Sequence, residues 1–157
     1  MSRPILLLDV DGVLNPFGTA ECPAGFTEHE LFTGEEPVRL CPAHGEWIKE
    51  LQEVFDVAWA TGWNDEANRL LAPLLGIEPL PVVPMPPIPF HPREKVPAVA
   101  RFAGRRPAVW MDDLHTPEAR EWSIAREQAT LLIPIDPTEG LTRSAVVRAI
   151  MWWTAPP

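Results

Sequence analysis

The sequence predicts an α/β fold: a Rossmann-like three-layer sandwich around a mainly parallel five-stranded sheet. Three observations carry this expectation. Short, continuously apolar runs alternate with segments of helical period. The runs are apolar at successive positions, which fits strands covered on both faces. Three of them end in polar residues: Asp9 and Asp11, Thr61, and Asp112 with Asp113. When strands and helices alternate, the strands run parallel and ligands bind outside their carboxyl ends. Residues far apart in the chain are therefore expected on one edge.

Ile5 to Val10 is the first run. Residues 15 to 41 lack helical period and carry Gly18, Gly25 and Gly34, which predicts a loop or a short hairpin flap. From His44 to Phe55, the positions Trp47, Ile48, Leu51, Val54 and Phe55 have helical spacing. Val57 to Ala60 is the second strand and ends at Thr61-Gly62. Ala67, Leu70, Leu71, Leu74 and Leu75 mark the next helix, which Gly76 stops. Leu80 to Val83 is expected as a short third strand inside a rigid, proline-rich connector over 79–92. Val96, Val99, Ala100 and Ala103 form a helical stripe closed by Gly104. Ala108 to Met111 is the fourth strand, and Thr116-Pro117 then supplies an N-cap and a first helical position. Leu131 to Ile135 is the fifth strand. Ala145, Val146, Ala149, Ile150 and Trp153 mark a last helix.

The 157 residues fit one domain over 1–157, and 46% apolar with 22% charged side chains excludes a disordered chain. Thirteen basic against twenty-two acidic residues give a net charge of −9, which disfavours an extended nucleic-acid surface but not a nucleic-acid end. The run Ile5 to Leu8 is too short for a signal peptide's core, and no segment approaches a membrane span. Cys22 and Cys41 read as free thiols in a reducing compartment, so a cytoplasmic protein is expected.

Asp9 and Asp11 stand two apart, so they share a side of an extended chain. Gly12 permits a sharp turn after them. Two carboxylates, a hydroxyl, an amine and a second acidic pair make a toolkit for phosphate chemistry. A phosphate monoester carries about two negative charges, so a carboxylate attacks it only once that charge is neutralised. A hard divalent cation held by oxygens does this, and Mg²⁺ suits the role. Lys95 is the natural source of further positive charge, with Arg93, Arg101, Arg105 and Arg106 as alternatives. The Thr61 hydroxyl and the N–H groups after Gly62 could donate to phosphate oxygens.

Asp9-Val10-Asp11-Gly12-Val13 resembles the first motif of the haloacid dehalogenase (HAD) superfamily. Ala60-Thr61-Gly62 resembles the second motif, Lys95 the third, and Trp110-Met111-Asp112-Asp113 the fourth, in the right order. Together with Asn15-Pro16 and Trp63, these stretches resemble a bacterial group of such domains associated with predicted RNA-repair proteins. The resemblance implies a phosphohydrolase in which Asp9 attacks phosphorus and forms an aspartyl-phosphate. It implies Asp11 as general acid and then base. It implies Mg²⁺ on the Asp9 carboxylate, the Asp11 backbone carbonyl and Asp113, with Asp112 placing Lys95 or a metal-bound water. Asp9, Thr61, Gly62 and Lys95 would bind the phosphate of a nucleotide, a nucleic-acid end or a small metabolite. Larger members insert a cap domain. Here neither the 50 residues from Asp11 to Thr61 nor the 34 from Thr61 to Lys95 hold one once helices and strands are subtracted.

Plainer readings stand beside these. A lone Asp-x-Asp-Gly is a common turn. A receiver-like signalling module uses similar residues but accepts phosphate on a middle strand, in a different order. A binding module without turnover is a further alternative. Trp63 either stacks on a base or sugar, or packs as an ordinary helix-start residue. The flap with Phe17, Phe26 and Phe32 either shapes specificity or covers the core edge. His91 and His115 flank motif residues and otherwise read as surface loop, while Trp59 and Trp110 read as core.

Overall fold

A computed structural model describes residues 3–156; positions 1, 2 and 157 of the expected single domain lie outside the described residues. Strand β1 (Ile5–Leu8) is the centre of a parallel sheet. It pairs on one side with β4 (Asp56–Trp59) and on the other with β5 (Ala108–Asp112), and β5 pairs with β6 (Thr130–Pro134). The register sets Leu8 beside both Trp59 and Met111. β1 and β4 therefore end level with Met111, and Asp9, Ala60 and the last residue of β5, Asp112, come next together.

Side chains alternate across the sheet, as strand geometry requires. Leu6, Leu8, Val57, Trp59, Val109 and Met111 face one core, with Ile48 and Leu51 of helix α1 (Pro42–Gln52) and Val146 and Ala149 of the C-terminal helix. Ile5, Leu7, Ala58, Ala108 and Trp110 face the other core. There they meet Val96 and Val99 of the helix that starts at Lys95, and Ala119 of the helix that starts at Pro117. Two apolar faces on every central strand are why the runs read as continuous. Truncating a core leucine such as Leu8 would cost about 2–5 kcal/mol.

The flap contains an antiparallel pair, β2 (Thr27–His29) with β3 (Val38–Leu40). Arg39 ties it down, donating to the Thr19 and Ala20 carbonyls at 3.1 and 3.2 Å. After β4 the chain makes a wide π-helical turn, Ala67–Leu71, that runs into α2 (Ala72–Leu75). Gly76 ends α2 at φ +70°, in the left-handed region that favours glycine.

Among the described residues the sheet holds four strands instead of five. The segment expected as the third strand joins β4 through one bridge, Trp59 to Val82, with hydrogen bonds from Trp59 N to Pro81 O and from Val83 N to Trp59 O. Two local features stop it there. Pro81 and Pro84 have no N–H to donate. Asn68, on the wide turn, captures both backbone groups of Leu80, accepting from its N–H at 2.8 Å and donating to its carbonyl at 2.7 Å.

The remaining helices are α3 (Lys95–Ala103), α4 (Pro117–Ala125) and α5 (Arg143–Thr154). Thr116 caps α4 by accepting from Ala119 N, and Pro117 opens it. Trp152 and Trp153 pack against the first core, and Cys22 and Cys41 are free thiols. Among the described residues, no helix is long and apolar enough to cross a membrane.

Candidate phosphate and metal site

The level strand ends bring the motif residues to one cavity of about 390 Å³. Asp9, Asp11, Thr61, Gly62, Lys95, Asp112 and Asp113 all line it. Arg93, Arg101, Arg105 and Arg106 do not, so the basic group of this cavity is Lys95. Trp63 lies in an adjoining cavity that shares Asp11 and Gly62 with the first.

Lys95 is delivered by local structure. His91 Nδ1 accepts from Arg93 N at 3.1 Å, and Glu94 reaches back to accept from His91 N at 2.8 Å. This reciprocal capping fixes a single 3₁₀ turn, Pro92–Glu94, and α3 starts at the next residue. His91 thus acts as a cap for the turn, a role its position in the sequence did not reveal.

From that helix start the Lys95 ammonium donates to Asp112 Oδ2 at 2.6 Å and lies 3.3 Å from Asp9 Oδ2. Lys95 and Asp9 are each 7% exposed and Asp112 is 2% exposed, so the three charges interact largely out of water. Asp9 Oδ1 accepts from Val10 N at 2.8 Å, and Asp112 Oδ1 accepts from Leu114 N at 3.0 Å. Carboxylate oxygens of Asp9, Asp112 and Asp113 lie within 4.8 Å of one another.

Three carboxylates thus share one ammonium. Burial pushes the Asp9 carboxyl well above the ordinary aspartate range, outweighing the attraction of Lys95; the Asp112 charge adds to the rise. Burial, together with the charge and hydrogen bonding of Asp112, raises Asp113 to about 6. Burial pulls Lys95 down, but Asp9 and Asp112 outweigh it and hold the ammonium above the usual lysine value. The cluster is short of positive charge. Its donors are all oxygens, which is the donor set a hard divalent cation takes.

Gly12 has a role in this geometry. Its φ of +81° lies in the left-handed region, and an added Cβ would sit 2.5 Å from Asp113 Cγ. The turn after Asp11 therefore packs directly on the Asp113 side chain.

Asp11 stands exposed at the cavity mouth with both oxygens held. Oδ1 accepts from Asn15 Nδ2 at 2.9 Å and Oδ2 from Trp63 Nε1 at 3.1 Å. Asn15 also accepts from Arg39 N at 2.8 Å, so one amide links the motif to the flap. Its sequence signal was an amide four residues after an acid, which resembled an ordinary turn end. Thr61 is buried and its Oγ1 accepts from Trp63 N at 3.2 Å, which leaves the hydroxyl hydrogen free to donate. His115 packs edge-on against Trp110, with ring centroids 5.2 Å apart, and does not line this cavity.

A family model described as the HAD domain in Swiss Army Knife RNA repair proteins matches residues 5–146. No curated protein and no solved structure gives a significant match.

Proposed function

We propose, given that the chain belongs to the family of HAD domains in Swiss Army Knife RNA repair proteins, that it is a Mg²⁺-dependent phosphomonoesterase. The observation that carries the reading is the buried cluster of Asp9, Asp112 and Asp113 around Lys95 at the strand ends. It is short of positive charge, in a family whose fold supports phosphohydrolase-type chemistry. We read residues 1–157 as a single domain without a cap, with the flap and the proline connector as its covers among the described residues. Membership in a family of RNA repair proteins favours a phosphorylated nucleotide or nucleic-acid end over other phosphate monoesters. A net charge of −9 favours a terminus over a length of nucleic acid.

Asp9, Asp113 and the Asp11 backbone carbonyl would hold Mg²⁺. Asp112, whose oxygens already engage Lys95 and Leu114 N, is a positioning residue for the ammonium. The cation, when bound, neutralises phosphate charge and so admits the substrate to a carboxylate-lined site. Lys95 and the Thr61 hydroxyl hold phosphate oxygens.

Asp9 attacks phosphorus. A bond forms between its carboxylate oxygen and phosphorus, the ester P–O bond breaks, and the leaving oxygen takes a proton from Asp11. Asp11 then removes a proton from water. The water oxygen bonds to phosphorus, the bond to Asp9 breaks, and inorganic phosphate leaves. Asn15 and Trp63 keep the Asp11 carboxyl oriented through both steps.

An activity panel tests this: an aryl phosphate, nucleotides, sugar phosphates, and oligonucleotides with 5′- or 3′-terminal phosphate, each with and without Mg²⁺. Mg²⁺-dependent release of phosphate is expected, with terminal phosphates among the better substrates. Inactivity across the panel with Mg²⁺ present would overturn the reading.

A further inference from the structure

We propose that the cavity beside the phosphate site is a base pocket. It would take the nucleobase of the phosphorylated nucleotide against Trp63 and Phe32, with the base's N–H edge towards Glu35 and Glu36. This rests on the phosphomonoesterase reading and deepens it by naming what the leaving group carries.

The cavity measures about 600 Å³, within the usual range for a small-molecule site. It adjoins the phosphate site, and Asp11, Gly62 and Ile88 line both. A group attached to a phosphate held at Asp9 therefore has this cavity as its neighbour. Its apolar walls are Phe32, Trp63, Val38 and Ile88. The Trp63 and Phe32 rings are in contact, with centroids 5.5 Å apart and planes tilted by 54°. Trp63 is also pinned by its hydrogen bond to Asp11. The stacking surface is thus oriented before any ligand arrives, which lowers the cost of binding.

Charge narrows the occupant. No lysine or arginine lines this cavity. Among the described residues Glu35 and Glu36 have no ion-pair partner, while Glu66 is engaged by Arg69 at 2.5 Å. Two uncompensated carboxylates repel a second phosphate and accept from N–H donors. A guanine edge offers an imino and an amino N–H side by side, which suits carboxylate oxygens. A small organic cation would also be attracted by carboxylates and ring faces. The two rings touch each other and form one angled wall, not an enclosure, and the cavity exceeds what a small ammonium fills. A planar base on that wall uses the space better.

The test compares kcat/KM for 5′-GMP and 3′-GMP with the matching ribose phosphates and with phosphocholine. It uses the wild type, Phe32→Ala and the double variant Glu35→Gln/Glu36→Gln; none of the three substituted residues lines the phosphate cavity. The better GMP isomer is expected to exceed its ribose phosphate by at least about tenfold, as stacking on one aromatic wall implies. Both variants should lose most of that advantage and leave ribose phosphate turnover unchanged. Equal use of GMP and ribose phosphate, a preference for phosphocholine, or an equal drop on all substrates in Phe32→Ala would overturn the base pocket. If no phosphate ester is hydrolysed, the phosphomonoesterase reading fails, and guanosine binding by calorimetry judges the pocket by itself. Binding weakened in Phe32→Ala supports the pocket, and absence of binding overturns it.

Discussion

Replacing Lys95 by methionine removes the one ammonium that stands between Asp9 and Asp112. In the wild type it lies 2.6 Å from one carboxylate and 3.3 Å from the other, with all three side chains nearly excluded from water. Removing one partner of a buried ion pair costs about 3–5 kcal/mol, because the other charge stays buried without compensation. The Lys95→Met variant should lose about that much stability at pH 7.5 without Mg²⁺. The loss should shrink on acidification, and the sign follows from proton counting. Without Lys95 the Asp9 carboxyl rises further above its unfolded value. Between those two values the folded variant binds more protons than the unfolded chain, so its stability increases as pH falls. Wild-type Asp9 is raised as well, but less, so the gap to wild type should narrow between pH 7.5 and 5.0. Urea unfolding followed by tryptophan fluorescence at both pH values measures it. A loss under about 1 kcal/mol at pH 7.5, or an equal loss at both pH values, would refute the reasoning, since surface pairs behave that way.

Two further outcomes follow from single contacts. Gly12→Ala forces a Cβ to within 2.5 Å of Asp113 Cγ at a φ of +81°. It should cost about 1–3 kcal/mol of stability and, by displacing that carboxylate, lower kcat/KM about 100-fold or more; unchanged kinetics would contradict the placement of Asp113. His44 is buried against the Leu141 carbonyl, its Nδ1 has no partner, and burial lowers its pKa from 6.5 to about 4. Because the folded value lies below the unfolded one, the unfolded chain takes up the proton first as pH falls. Wild type should therefore lose about 3 kcal/mol from this group between pH 6.5 and 4, and His44→Gln should lack that slope. Thermal unfolding across this pH range would show parallel curves if His44 were solvated.

The convergence of Asp9, Thr61, Asp112 and Asp113 was legible because parallel strands force it; Lys95 comes instead from the start of a helix. Apolar runs located the strands, strand direction located their ends, and polar residues at those ends met at one edge. Thr116-Pro117 and Gly76 bounded helices through local chemistry that composition alone displays. The third strand was not legible as a single bridge, because its limit lies in a side chain elsewhere: Asn68 takes the Leu80 backbone groups. The wide turn at Ala67–Leu71 keeps helical spacing, so periodicity did not distinguish it from an α-helix. The links from Asp11 through Asn15 to Arg39, and from Asp11 to Trp63, join residues up to 52 positions apart and depend on where the flap docks. The cavity between Phe32, Glu35, Glu36 and Trp63 has the same origin. No local pattern encodes a wall assembled from two loops.

In the proposed mechanism the Asp9 carboxylate itself carries the phosphoryl group. Rapid acid quench during turnover of the best phosphate monoester, followed by peptide mass spectrometry, tests it most directly. The wild type should give an acid-stable, base-labile phosphoryl adduct on Asp9, and Asp9→Asn neither adduct nor Mg²⁺-dependent turnover. Full turnover without an adduct, together with retained activity in Asp9→Asn, would contradict it.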